Sequence, residues 1–192
     1  MSISYYNANA DAYFNDTVGA NVASLRERFL AHVPPGGHIL DAGCGSGRDA
    51  RAFAEIGYQV TAFDASVEMV KRAAAYTGLD VSHMTFDDMA WKEEFDGIWA
   101  CATLLHVPRE KLGSTFERFA RALRPGGAWY LSVKHGTDDR VVGARTFTDM
   151  TEQETQKRLE DAGLSVADLW VTDDVRPGRV DRWVNTVAVR NP

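Results

Sequence analysis

The chain has 192 residues, 45% of them hydrophobic and 25% charged, which is enough for one domain with a full core. Its formal net charge of −6 argues against a general nucleic-acid binder, although it leaves room for a local basic patch. No apolar run approaches the roughly 20 residues of a membrane-spanning helix, the first residues have neither the basic start nor the apolar segment of a secretory signal, and Cys44 and Cys101 match no metal spacing, so a cytoplasmic protein without metal or membrane contact is expected.

The apolar periodicity predicts a helix over 8–32, with Val22, Leu25 and Phe29 on one face. Pro34-Pro35-Gly36-Gly37 stops it and delivers the chain into a strand at 38–42. A helix over 47–56 follows, with Gly57 as its stop. A strand over 58–63 ends at Asp64, and Ser66 caps a helix reaching residue 77. Short strands are expected at 81–85 and 96–101. Leu112, Phe116, Phe119 and Leu123 mark the inner stripe of another helix, which Arg124-Pro125-Gly126-Gly127 ends before a strand at 128–134. Thr151-Glu152-Gln153-Glu154 has the capping-box pattern and opens a helix to residue 162. Two strand-like runs, 164–172 and 182–190, close the chain through a turn at Arg176-Pro177-Gly178-Arg179. Strands alternating with helices imply an α/β sheet with crossover connections, and the last pair, with no helix between them, an antiparallel hairpin at one edge. The whole reads as a single domain over 1–192, with a helical cap at 1–33, a core at 38–135 and a C-terminal helix and hairpin at 145–192.

The stretch Asp41-Ala42-Gly43-Cys44-Gly45-Ser46-Gly47-Arg48 is a buried strand breaking into a glycine-rich turn and then a helix. Glycines at alternate positions let the backbone turn tightly and a ligand approach it, and the next helix points free N–H groups into the turn. Asp64 closes the second strand seventeen positions after Gly47, where a doubly wound sheet brings a carboxylate to the ribose of a bound nucleoside. The spacing is G-x-G-x-G, with Arg48 where a dinucleotide fingerprint has its third small residue, and Asp41 precedes the first glycine by two positions. An acid there repels a pyrophosphate and favours a cation such as an amino group or a sulfonium, which prefers S-adenosylmethionine over NAD.

With LDAGCGSG, VTAFDAS, FDGIWA and LRPGGAWYLSVK in this order, the chain resembles the class I S-adenosylmethionine-dependent methyltransferases, strongly over residues 35–135. Its G-x-G-R-D continuation and small size are similar to the tellurite-resistance and thiopurine-type small-molecule branch. The resemblance implies a Rossmann-like, doubly wound, mainly parallel seven-stranded sheet with helices on both faces. It implies S-adenosylmethionine as cofactor and S-adenosylhomocysteine as product. Gly43, Gly45 and Gly47 are then expected along the methionine and ribose portion, with Cys44 packed within that turn. Asp41 is expected near the amino group, Asp64 at the ribose hydroxyls, and Ala65 and Met69 beside the adenine. Phe86 and Asp87 occupy the loop that contacts adenine, with Asp88 as a rival to Asp87. The carbonyl of Ala100 faces the amino group, and Arg48 either reaches the carboxylate or faces solvent.

The acceptor side rests on weaker signals. His106 follows the fourth strand at the reactive rim and is a candidate base or substrate contact, with loop packing as its alternative. Tyr5 and Tyr6 could form a lid over the sulfonium or simply pack the N-terminal segment, whereas Tyr13 and Phe14 read as buried helix face. Lys134, Arg145 and Arg179 could bind an oxyanion or carboxylate, or remain solvated charges. The expected partner is a small-molecule methyl acceptor, anionic if those cations converge. A non-catalytic S-adenosylmethionine-binding module and an NAD-dependent oxidoreductase are the competing functions. The attacking atom and the oligomeric state are not legible.

Overall fold

A computed structural model describes residues 2–176 and 178–191. Three short helices open the chain: α1 (Ser2–Ala8), α2 (Ala10–Thr17) and α3 (Ala23–Leu30). They replace the single helix expected over 8–32. Two asparagines explain the breaks, because their side chains compete for backbone groups. Asn9 donates from Nδ2 to the Tyr5 carbonyl at 2.8 Å, and Asn21 accepts from the Ala23 N–H at 3.0 Å, where α3 begins.

The core then alternates as expected: β1 (His38–Ala42), α4 (Arg48–Glu55), β2 (Gln59–Asp64), α5 (Val67–Thr77), β3 (Val81–His83), β4 (Phe95–Cys101), α6 (Leu112–Ala122) and β5 (Leu123–Lys134). Ser66 caps α5, its hydroxyl accepting from the Met69 N–H at 3.2 Å. Arg124-Pro125-Gly126-Gly127 lies inside β5 rather than before it. Leu123 pairs with Phe95, the register then shifts, and pairing resumes at Ala128 opposite Gly97. Beyond the core lie β6 (Asp139–Val142), β7 (Arg145–Thr148), α7 (Glu152–Asp161), β8 (Leu164–Asp173) and β9 (Arg182–Arg190). Of the turn expected at Arg176-Pro177-Gly178-Arg179, Pro177 lies outside the described residues.

Seven strands form one sheet in the order β3-β2-β1-β4-β5-β9-β8. The first five run parallel, and β9 is antiparallel to both β5 and β8. This is the Rossmann-like, mainly parallel sheet with an antiparallel C-terminal edge. The pair β6–β7 is a separate two-stranded sheet that the sequence reading missed, turned by Gly143-Ala144 with Gly143 at φ 60°. No helix among the described residues is long and apolar enough to cross a membrane.

The period-2 alternation of β4 and β5 builds two apolar layers. Trp99 and Tyr130 stack at 4.0 Å on the face covered by Phe29 of α3 and Phe53 of α4. One residue earlier, Ile98 and Trp129 point to the opposite face, where Trp129 stacks on Phe119 of α6 at 4.6 Å. Sandwiched this way, β1 has no freedom at its carboxyl end, and the chain must leave the sheet there through the glycine turn.

Steric room at that turn is tight. Gly43 has φ +73°, and a Cβ there would lie 2.0 Å from Thr103 Oγ1. Gly43→Ala is therefore expected to cost about 2–3 kcal/mol of stability, read as a lower denaturation midpoint in urea. Adding Thr103→Ala should recover part of that loss by removing the hydroxyl, leaving the backbone strain.

Candidate active site

Two neighbouring cavities open at the carboxyl ends of the parallel strands, where open α/β sheets place their ligands. The smaller, of about 160 Å³, lies between the β1 turn, the end of β2 and α5; the larger, of about 460 Å³, extends towards β5, β7 and the β8–β9 connection. They share Tyr6, Tyr13, Gly43, Gly45 and Ala102 in their walls.

The glycine turn hangs on the end of β2. The N–H groups of Gly43 and Cys44 both donate to the Phe63 carbonyl at 2.9 Å. Gly45 N–H donates to Asp64 Oδ2 at 2.9 Å, and Ser66 N–H donates to Asp64 Oδ1 at 2.8 Å. Asp64 is thus fixed in the wall of the smaller cavity, with lone pairs left for hydroxyl donors. Burial raises its pKa, while the Ser66 and Gly45 N–H groups oppose that shift. Ala65, Met69, Met84 and Phe86 form an apolar slot beside it.

Asp41 is 3% exposed and lines the larger cavity, yet its Oδ2 has no hydrogen-bond partner. Burial pushes its pKa well up, and the neighbouring Asp49 carboxylate adds to the shift. A buried carboxylate short of a partner is costly unless a cation joins it. Asp49 is the opposite case. Arg26 donates to it at 2.7 Å, Arg48 donates through Nε at 3.1 Å, and the Trp99 indole donates at 3.0 Å. Burial works against the charge of Arg48, but Asp49 beside it holds the guanidinium pKa above its ordinary value. Arg48 lines the larger cavity already paired.

Other expected residues fall differently. Gly47 lines neither cavity; its missing Cβ makes room for Thr77 and Ala73 of α5, the nearest atom being 2.7 Å from that position. Ala100 is fully buried and lines neither cavity, whereas Cys101 and Ala102 reach the larger one. Ala102 holds φ 54°, and its N–H donates to Ser132 Oγ at 2.8 Å. Asp87 points away from both cavities to Lys111 at 3.1 Å and Arg118 at 3.5 Å. Asp88 instead accepts from Thr85 N–H and Oγ1 at 2.8 and 2.7 Å, closing a capping box. Of Phe86, Asp87 and Asp88, Phe86 alone lines the smaller cavity.

Helix α1 roofs the smaller cavity and is tied at both ends. Asn7 Oδ1 accepts from the Ser66 hydroxyl at 2.7 Å, and Ser2 Oγ accepts from the Thr146 N–H at 3.1 Å. Tyr6 packs edge-on against Tyr13 at 4.8 Å and hydrogen-bonds His106 Nε2 at 2.7 Å. His106 Nδ1 lies 2.7 Å from the Thr146 carbonyl, which can only accept, so Nδ1 carries the hydrogen and Nε2 accepts from the Tyr6 hydroxyl. Burial lowers the His106 pKa to about 4, with Arg145 and Lys134 pushing the same way. Tyr13, read from the sequence as helix face, is a wall of both cavities, and burial raises its pKa. Its spacing of seven residues from Tyr6, two helical turns, was the available signal. Phe147 had only the weak turn signal of Gly143-Ala144, and Ser132 and Ala102 had none, one being an inner position of β5 and the other a non-glycine residue at positive φ.

The residues present fit S-adenosylmethionine on two counts: the partnerless Asp41 oxygen suits its ammonium, and the apolar slot beside Asp64 suits an adenosine. Residues 39–127 match a family model described as a methyltransferase domain. A ubiquinone biosynthesis O-methyltransferase of Xanthomonas axonopodis pv. citri is 33% identical over 168 residues, covering 82% of this chain and 64% of the relative. The chain thus spans just under two thirds of the curated relatives it matches. Among solved structures, the Burkholderia thailandensis 1,6-didemethyltoxoflavin-N1-methyltransferase, with 1,6-didemethyltoxoflavin and S-adenosylhomocysteine bound, has a TM-score of 0.81 and 24% identity, covering 100% of this chain and 86% of its own. The [4+2]-cyclase SpnF has a TM-score of 0.77 and 15% identity, covering 99% of this chain and 95% of its own, a likeness of fold alone. Residues 39–127 are thus similar to a methyltransferase domain, and the strand order around them is the Rossmann-like methyltransferase fold that the Burkholderia thailandensis enzyme shares.

The buried, neutral His106 sets a pH dependence. Between its ordinary pKa of 6.5 and its folded value of about 4, the unfolded chain binds a proton that the folded chain does not. Stability is therefore lost as pH falls through this window, by roughly 3 kcal/mol in all. The difference in unfolding free energy between the protein and His106→Gln, followed from pH 7 to 4, should carry this slope; a constant difference would contradict the assignment.

Proposed function

We propose that the chain transfers the methyl group of S-adenosylmethionine to a small-molecule nucleophile held in the larger cavity. The observation that carries this reading is the partnerless Asp41 oxygen in a cavity that adjoins, through shared walls, the adenosine-sized slot ending at Asp64. Asp41 would neutralise the ammonium of the cofactor, the Gly43–Gly45 backbone would pass beneath it, and Asp64 would accept from its ribose hydroxyls. Ala65, Met69, Met84 and Phe86 would enclose the adenine. When bound, the cofactor supplies a methyl group already activated by the sulfonium.

The protein's own contribution is then position and exclusion of water, an effect that reaches about 7–11 kcal/mol in favourable intramolecular cases. Tyr6, Tyr13 and Ala102, common to both cavities, stand at the junction where donor and acceptor meet. The cofactor would supply the methyl group to the acceptor's lone pair and keep the carbon–sulfur electron pair, and an acceptor proton, where there is one, would pass to bulk solvent on product release. His106, neutral and already accepting from Tyr6, orients that hydroxyl rather than serving as a free base.

Within this reading, Arg145 favours an anionic acceptor, whereas Lys134 and Arg179 on the same wall are matched by Asp181 and Asp16. Oxygen, nitrogen and sulfur nucleophiles all fit, as do the soft chalcogens of a tellurite-resistance or thiopurine-like role. Two cysteines outside any disulfide accord with a cytoplasmic setting.

Calorimetry with S-adenosylhomocysteine tests the proposal. The folded protein should bind it, and Asp64→Ala should weaken binding about 10–100-fold, the equivalent of one hydrogen bond to a charged group. Failure of the folded wild type to bind would overturn the cofactor assignment. Binding of S-adenosylmethionine without turnover across a broad acceptor panel would leave a binding module instead.

A further inference from the structure

The cations lining the larger cavity are nearly all matched. Arg48 is held by Asp49, Lys134 by Asp181 at 2.7 Å, Arg176 by Asp174 at 2.7 Å and Asp16 at 3.2 Å, and Arg179 by Asp16 at 3.5 Å. Arg145 is the exception: it lines the same cavity but pairs with no carboxylate among the described residues. Its Nε is buried and has no hydrogen-bond partner. Its guanidinium carbon lies 4.5 Å from the ring centre of Tyr5 and 5.1 Å from that of Phe147. The plane is thus held by aromatic faces while its Nε donor stays unspent.

A guanidinium presents donors in a rigid fork whose spacing matches a carboxylate. Stacked on Tyr5 and Phe147, the fork is pre-oriented and loses little freedom on binding. The cofactor's own carboxylate is the competing occupant. It stays within a few bonds of the ammonium assigned to Asp41, and the cation acting on Asp41 is Arg48, whereas Arg145 acts on Tyr6 and His106. Arg145 lines only the larger cavity and takes no part in the adenosine slot. Tyr5, Tyr6, Phe147 and Trp183 surround the remaining space with aromatic surface, which suits a flat ring.

We propose that Arg145 anchors the methyl acceptor, and that the acceptor is a planar aromatic molecule carrying an ionised carboxylate. This rests on the methyltransferase reading for the word acceptor, but the anion site stands on its own geometry.

The test is calorimetric titration of the protein, with and without saturating S-adenosylhomocysteine. The probes are benzoate, salicylate and 1-naphthoate, each against its neutral primary amide. The protein should bind at least one acid tenfold or more tightly than its amide. Arg145→Gln should erase that preference while leaving S-adenosylhomocysteine affinity unchanged. Arg145→Lys, which keeps charge but loses the fork, should retain part of the preference, and the exposed Lys157→Gln all of it. A far-ultraviolet spectrum and melting curve establish that each variant is folded. The proposal is overturned if the amides bind as tightly as the acids, if none of the acids binds, or if Arg145→Gln keeps the preference. It is also overturned if Arg145→Gln loses S-adenosylhomocysteine tenfold, since the guanidinium then serves the cofactor. If the wild type fails to bind S-adenosylhomocysteine, the cofactor assignment falls alone, and acid-over-amide preference in the free protein still decides the role of Arg145.

Discussion

A carboxylate oxygen without a partner, at the carboxyl end of a central strand, is the constraint around which this molecule is arranged. Asp41 sits on β1, flanked by β2 and β4, with apolar layers on both faces of the sheet. It cannot swing out to water, and burial makes its charge unfavourable on its own. Neighbouring Asp49 absorbs Arg26, Arg48 and the Trp99 indole, so the cations nearest to Asp41 are spent elsewhere. In the proposed function, a ligand cation would complete what the protein leaves open. The glycine turn would let that ligand come close, because Gly43 and Gly45 present backbone rather than side chains at the cavity wall.

The second arrangement is the roof. Helix α1 is too short to hold itself in place. It is pinned by Asn7 to the cap of α5 and by Ser2 to β7. His106 locks the middle of that span, taking the Tyr6 hydroxyl on one ring nitrogen and giving the other to the Thr146 carbonyl. Because the imidazole is neutral, the lock depends on orientation, not charge. The same hairpin that anchors α1 also carries Arg145 and Phe147, so it joins the roof of the smaller cavity to a wall of the larger one.

How much of this was legible in the sequence follows from where the information is local. The glycine spacing, Asp41 and Asp64 lie within or just after the strands they terminate, so their shared position at the sheet edge could be read directly. Ser66 as a cap was equally local, since its hydroxyl meets an N–H three residues on. The loop expected at the adenine held only at Phe86, which enters the slot: Asp87 is drawn off by Lys111 and Arg118, partners that tertiary structure brings near, and Asp88 by the local capping box with Thr85. Gly47 was expected on the ligand; its missing side chain instead admits Thr77. The N-terminal helix broke at Asn9 and Asn21 because side-chain competition outweighed apolar periodicity. The β6–β7 hairpin turns on Gly143-Ala144, a weak signal in a stretch with no strong alternation.

The central claim is that Asp41 waits, uncharged or costly, for the ammonium of the cofactor. Calorimetry of S-adenosylhomocysteine binding in buffers of different ionisation enthalpy counts the protons exchanged, and does so for the protein and for Asp41→Asn. Because burial raises the pKa of Asp41 and a bound cation lowers it again, binding should release a proton from the wild type as pH falls through that raised pKa, and affinity should fall with it. Asp41→Asn should show neither. Equal proton counts for the two proteins at every pH would contradict the account.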